Sequence, residues 1–169
     1  METVFLGLGS NLGDGAATIL AAARELGETL SELRISRLWH SKARYVENQP
    51  DFTNAVAMGR SALSPRELLA EVNRVEALFG RDRSKEIVKG PRPLDIDILL
   101  YGERLVVESD LVIPHPGMRE RRFVLLPLLE LAPELRDPVS SASFASILAA
   151  LPPQGIYLSE PGDYDLLYI

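Results

Sequence analysis

The chain contains no cysteine, which excludes a disulfide framework and thiol chemistry. That absence suits a reducing compartment, so a cytoplasmic location is expected. No apolar run approaches the ~20 residues of a membrane span, and no signal-peptide pattern opens the chain. No membrane partner is therefore expected. A basic excess is missing too: 18 lysines and arginines stand against 24 aspartates and glutamates, a formal net charge of -6. A general nucleic-acid binder needs a broad basic face, and this acidic balance argues against one. Repeats, linkers and low-complexity runs are absent as well. The 169 residues, 46% of them hydrophobic, therefore read as one domain over 1–169 with ample material for a core.

What is present centres on Gly90-Pro91-Arg92-Pro93-Leu94-Asp95-Ile96-Asp97-Ile98. From Leu94 to Tyr101 the pattern is that of a strand. Leu94, Ile96, Ile98 and Leu100 should point one way, and Asp95, Asp97, Leu99 and Tyr101 the other. Two carboxylates then share a face, with Cα atoms roughly 6.5 to 7 Å apart. Such a pair is costly to bury without a compensating cation. It can bridge divalent ions about 3.5–4 Å apart, and ions of the Mg²⁺ type bring substrate phosphates with them. Taken alone, the pair also fits a solvated outer strand face. The upstream segment weighs against that. Arg81, Arg83, Lys85, Lys89 and Arg92 face only Asp82 and Glu86, so residues 81–92 are net positive by three in an acidic protein. Arginines for phosphate oxygens beside acids for a metal is what a polyphosphate site needs.

Along the rest of the chain, Thr3 to Gly9 reads as a strand whose second face is bare at Gly7 and Gly9, letting a ligand approach closely. Gly7, Gly9 and Gly13 are spaced one residue too long for a dinucleotide fingerprint. Asp14 is the expected N-cap of a helix over Ala16–Leu26, stopped by Gly27. Leu33 to Trp39 reads as a second strand and Ser41 to Asp51 as a polar loop. Phe52 to Met58 is a third strand, with Phe52, Asn54, Val56 and Met58 on one face. Asn54 must satisfy its amide, on backbone or on a heteroaromatic ring. Ser64-Pro65-Arg66-Glu67 is a capping box that opens a helix closed by Gly80. Asn73 and Glu76 flank its apolar stripe. A turn at Tyr101–Glu103 and a short strand at Leu105–Val107 follow. His115, one of two histidines, sits in a stiff proline frame, ahead of a second basic cluster over 118–123. Short helices are expected over 127–131 and 144–151. The tail 156–169 starts strand-like and shows no chemistry. The order strand–helix–strand–strand–helix–strand is the split βαβ plan.

Five blocks, in order over residues 3 to 138, resemble 6-hydroxymethyl-7,8-dihydropterin pyrophosphokinase. They are Gly9-Ser10-Asn11-Leu12-Gly13; Gln49-Pro50-Asp51-Phe52 with Asn54; Gly90 to Asp97; Pro114-His115-Pro116 with Met118, Arg121 and Phe123; and Pro127-Leu128 through Ala132-Pro133. The resemblance implies an α+β ferredoxin-like fold, an antiparallel sheet with helices on both faces in three αβα layers. It implies transfer of pyrophosphate from ATP to the pterin 6-hydroxymethyl group, with release of AMP, in folate biosynthesis. By this resemblance Asp95 and Asp97 hold two Mg²⁺ ions. Arg83, Arg92 and Arg121 join them as the catalytic set. Asn73, Glu76, Arg81, Ile98 and His115, with the same three arginines, contact ATP. Gly9, Ser41, Phe52, Asn54 and Phe123 form the pterin site. A monomer is expected, with weak dimerisation allowed.

Two departures from the family pattern fall in loops expected to close on substrate. Val88 and Lys89 stand where an aromatic often precedes Gly-Pro-Arg, and Ser41-Lys42-Ala43 replaces the usual Thr-x-Pro. A non-catalytic nucleotide-sensing module and a transferase with another acceptor are the competing expectations. The first has no need of the acidic pair, and the second has none of the Phe52, Asn54 and Phe123 set.

Overall fold

A computed structural model describes residues 1–42, 50–82 and 91–159. The strands are β1 (Glu2–Ser10), β2 (Ser31–Ile35), β3 (Trp39–Ser41), β4 (Phe52–Ser61), β5 (Asp95–Tyr101), β6 (Val106–Val107), β7 (Val112–Ile113) and β8 (Ile156–Leu158). The helices are α1 (Gly15–Gly27), α2 (Pro65–Leu78), α3 (Arg122–Leu131) and α4 (Phe144–Ala150), with a 3-10 turn at Met118–Glu120. The main sheet runs β5-β1-β4-β3-β8, with β2 also pairing β4. All of its pairings are antiparallel. This is the expected ferredoxin-like α+β plan.

Local chemistry explains the helix starts. Asp14 accepts the Ala17 N–H at 3.0 Å, and Ser64 with Glu67 forms the reciprocal capping box. One face of the sheet buries Leu6, Leu8, Ala55, Ala57 and Ile96 against Ile19, Leu26, Leu68, Val72 and Val75 of α1 and α2. The other buries Phe5, Val56, Leu99 and Leu100 against Val124, Leu125 and Leu128 of α3 and Phe144 of α4. Each such large side chain contributes about 1.5–3 kcal/mol by leaving water.

Three expectations are corrected. The strand expected over Leu33–Trp39 is split into β2 and β3. The Ser36 hydroxyl accepts the Val56 N–H at 2.9 Å, standing in for a main-chain carbonyl and interrupting the ladder. Alternation in β5 breaks beyond Leu99. Val4 pairs with Tyr101 and Phe5 with Leu100, but Leu6 pairs with Ile98. This bulge turns Leu100 to the α3 face and Tyr101 to the α1–α2 face, the reverse of strict alternation. Finally, α3 begins at Arg122 rather than at Pro127, with the proline inside the helix. Burial of Val124 and Leu125 in its first turns outweighs the missing N–H of Pro127.

Candidate active site

β1 is the centre of the site because it is paired on both sides and two of its residues are glycine. Gly9 lies opposite Asn54 of β4 and Asp95 of β5, and Gly7 lies opposite Val56 and Asp97. The bare strand leaves a floor between the acids of β5 and the amide of β4. A Cβ at Gly9 would stand 3.6 Å from Asn54 Oδ1 and 3.8 Å from the Phe52 ring, so any side chain there would fill the floor. A cavity of about 360 Å³ opens above it. Its walls include Ser41, Lys42 and Asn54 on the β3–β4 side, Asp95 and Asp97 of β5 with Arg81, Arg92, His115 and Arg121, and the rings of Phe52 and Phe123.

The acidic end is held in a cationic ring. Arg81 Nη1 donates to Asp95 Oδ1 and to Glu76 Oε1, both at 2.5 Å. Arg92 Nη1 lies 3.4 Å from Asp95 Oδ2, and Arg121 Nη1 lies 3.8 Å from Asp97 Oδ2. Each of the last two guanidinium groups also sits 5.9 Å over an aromatic ring, Arg92 over Phe52 and Arg121 over Phe123. Burial pushes the Asp97 carboxyl up to about 6. The Asp95 charge adds to the rise, while Arg121, Arg92 and Arg81 oppose it. Burial, and then Arg121, bring His115 down to about 4, so the ring is neutral at pH 7. Its Nδ1 accepts the Gly117 N–H at 3.1 Å, which puts the ring proton on Nε2, 3.6 Å from Asp97 Oδ2.

The donor set fits ions of the Mg²⁺ type. Asp95 and Asp97 are oxygen ligands on one face of one strand, and the raised Asp97 carboxyl marks a negative pair in want of a cation. Among the described residues no cluster of three or more His, Cys, Asp or Glu could hold a metal by itself. Mg²⁺ is commonly bound by one or two carboxylates plus substrate phosphates. Arg92 Nε is buried and finds no acceptor among the described residues, as suits a group that meets an anion.

At the other end, Asn54 is oriented by its surroundings. Its Nδ2 donates to Ser41 Oγ at 2.9 Å and lies 3.3 Å from the main-chain oxygens of Trp39 and Phe52. Oδ1 is thereby turned toward Gly9 and the cavity. What meets it there must be a hydrogen-bond donor, and an N–H edge of a heterocycle qualifies.

The chain matches the family model for 7,8-dihydro-6-hydroxymethylpterin-pyrophosphokinase (HPPK) over residues 5–133. The chain belongs to the HPPK family. Membership makes it an enzyme of the diphosphokinase class. The 2-amino-4-hydroxy-6-hydroxymethyldihydropteridine pyrophosphokinase of Aquifex aeolicus is 44% identical over 140 residues, covering 82% of this chain and 86% of that protein. The folic acid synthesis protein fol1 of Pneumocystis carinii is 42% identical over 146 residues, 86% of this chain, yet the chain spans only 20% of fol1. Wild-type Plasmodium falciparum HPPK-DHPS resembles it in fold, with a TM-score of 0.68 at 16% identity over 88% of this chain and 43% of that one.

Of the residues named for an HPPK site from the sequence, Gly9, Ser41, Phe52, Asn54, Arg81, Arg92, Asp95, Asp97, His115, Arg121 and Phe123 all line the one cavity. Arg83, with Val88, Lys89 and Gly90, lies outside the described residues, as does Ala43. Three others stand elsewhere. Ile98 turns its side chain into the α1–α2 core, because β5 alternates and the acids take the other face. Asn73 is exposed on α2 and does not line the cavity. Glu76 is 1% exposed and accepts the Ile96 N–H at 2.8 Å besides Arg81. It clamps the end of α2 to β5 beside Asp95 and does not line the cavity. Two contributors carried no role in the sequence. Lys42 lines the cavity. Asn11 accepts the Arg92 N–H at 2.9 Å and donates to the Pro50 carbonyl at 3.3 Å, tying the entries of β4 and β5 to the turn after β1. A small polar residue after a strand signals a turn, but nothing local names a partner 81 residues away.

Proposed function

We propose that the chain transfers a diphosphate group from ATP to the 6-hydroxymethyl oxygen of 6-hydroxymethyl-7,8-dihydropterin, giving the pterin diphosphate and AMP, as a step of folate biosynthesis. The observation that carries this is the cross-strand row Asn54–Gly9–Asp95. It sets an oriented amide and a metal-type carboxylate on either side of a bare strand, with arginines around the acid. A flat heterocycle lying on Gly9 would offer its N–H edge to Asn54 Oδ1, between Phe52 and Phe123, with its hydroxymethyl group directed toward the acids.

Asp95 and Asp97 would hold two Mg²⁺ ions, which when bound neutralise charge on the ATP phosphates. Arg81, Arg92 and Arg121 would take phosphate oxygens, with Arg83 beside them. The His115 Nε2–H would donate one further hydrogen bond. The hydroxymethyl oxygen attacks the β-phosphorus in line. The bond from that phosphorus to the α–β bridging oxygen breaks, AMP departs with the bridging oxygen, and the hydroxyl proton is lost. The protein's part is mainly positioning and charge complementarity.

Product analysis with ATP, Mg²⁺ and the hydroxymethyl pterin tests this. AMP in step with a pterin diphosphate is expected. ADP would mean γ-phosphoryl transfer and another reaction, and bound but unreacted ATP would mean a sensing module.

A further inference from the structure

We propose that Glu130, which does not line the cavity, is a positioning residue that sets the orientation of Asn54 and the gap between Asn54 and Phe123. The proposal rests on the assignment of Asn54 as a pterin contact.

Asn54 draws two of its three Nδ2 contacts from β3, the Trp39 carbonyl and Ser41 Oγ. β3 is only three residues long, and residues 36–38 before it form no regular structure. β4 and β8 pair with it on its two sides, and Glu130 adds a hold from outside the sheet. Its side chain is 18% exposed. Oε2 accepts the Arg37 main-chain N–H at 2.9 Å, and Oε1 accepts the Trp39 Nε1–H at 3.0 Å and the Arg37 Nε–H at 3.1 Å. One carboxylate thus satisfies both the backbone leading into β3 and the side chain of the residue whose carbonyl meets Asn54.

Glu130 and Phe123 also sit on the same helix, seven residues apart. That is two turns, or about 10 Å along the axis. Phe123 lines the cavity, so the grip of Glu130 on β3 fixes the aromatic wall carried by α3 relative to the amide wall carried by β4. Removing the carboxylate leaves the Arg37 N–H and the Trp39 indole N–H without their acceptor, and β3 relaxes toward whatever will take them. Glu130 itself bonds Arg37 and Trp39, and among the described residues it makes no hydrogen bond or ion pair with the phosphate end. That end meets α3 only at its first turn, where Arg121 lies over Phe123.

The test compares full-length wild type with Glu130→Ala, Glu130→Gln, Trp39→Phe and Asn54→Ala. Pterin affinity is read from pterin fluorescence on titration, and KM for ATP and kcat are read alongside. Glu130→Ala and Trp39→Phe should each weaken pterin binding about tenfold while KM for ATP stays within about twofold. Glu130→Gln should recover part of the loss, because its amide oxygen still accepts from Trp39. Wild-type pterin affinity in folded Glu130→Ala and Trp39→Phe, with only a lowered Tm, would overturn the proposal. Should Glu130→Ala fail to fold, Trp39→Phe decides, since it keeps an aromatic side chain at that position, though a smaller one, and removes the N–H that Glu130 accepts. Unchanged affinity in Asn54→Ala would instead remove the pterin assignment itself, and the Glu130 proposal with it.

Discussion

Asp97 shows how a residue suited to a ligand burdens the protein without one. It lies two residues from a like charge on the same strand face, and its carboxyl is raised to about 6 by burial first and by Asp95 second. The folded state therefore takes up a proton more readily than the unfolded chain. This contribution to apo stability is present in full below about pH 4 and is lost as the pH rises toward 6. At pH 7 the folded protein carries the cost. The side chain keeps 36% of its surface open, so solvent screening trims that cost to about 1 kcal/mol. Asp97→Asn should therefore raise the Tm of the apo protein by about 2–4 °C while abolishing turnover. A calorimetric scan beside an activity assay reads both, and a destabilised variant would contradict the crowding argument.

At the scale of elements, the 3-10 turn and the segment between α3 and α4 are fastened by one buried carboxylate. Asp137 is 1% exposed. It pairs with Arg119 at 2.9 and 2.5 Å and accepts from Ser140 Oγ at 2.7 Å and from the Val139 N–H at 3.2 Å. The Arg119 guanidinium above all, with the Ser140 and Val139 donors, holds its carboxyl well below the usual range. The folded state therefore resists protonation where the unfolded chain, titrating near pH 4, accepts it. The stabilisation is complete above about pH 4 and drains away as the pH falls further. Asp137→Asn should cost about 2–3 kcal/mol at pH 7, and the loss should shrink as the pH is lowered from about 5 to 2.5. Urea midpoints across that range measure it. A penalty independent of pH would mean that packing, not charge, fastens the segment. β8 makes a comparable attachment at the sheet edge, where Ser41 pairs with Ile156 and the Tyr157 hydroxyl donates to Asp51 at 3.1 Å.

For the whole molecule, a net charge of -6 coexists with a cavity ringed by arginines. Among the described residues the cavity sets Lys42, Arg81, Arg92 and Arg121 against Asp95 and Asp97, a local field that favours a small polyanion and that divalent cations on the two acids would strengthen. ATP with Mg²⁺ at 100 times its Kd should stabilise the fold by about 2.7 kcal/mol, several degrees in Tm. ATP with a chelator should give a much smaller shift, and Asp95→Asn should bring the two conditions together. Equal shifts with and without Mg²⁺ in the wild type would remove the two carboxylates from the metal assignment. No helix among the described residues is long and apolar enough to cross a membrane, in line with the sequence.

The linear sequence determined much of this on its own. Period-two alternation set Asp95 and Asp97 on one face of β5, a run of basic residues led into them, two glycines bared β1, and capping residues opened α1 and α2. These signals are local, so they survive in one dimension. Pairing partners are not local, and the tertiary structure decided what depends on them. The bulge that reverses Leu100 and Tyr101 exists only because β5 must keep register with β1. Glu76, which reads as a polar residue flanking a helix stripe, became a buried clamp because the end of α2 lands on the Ile96 N–H. Asn11 and Glu130 found their roles 81 and 91 residues away. A side chain's type limits which bonds it can make, and only the folded chain supplies the donors and acceptors that select among them.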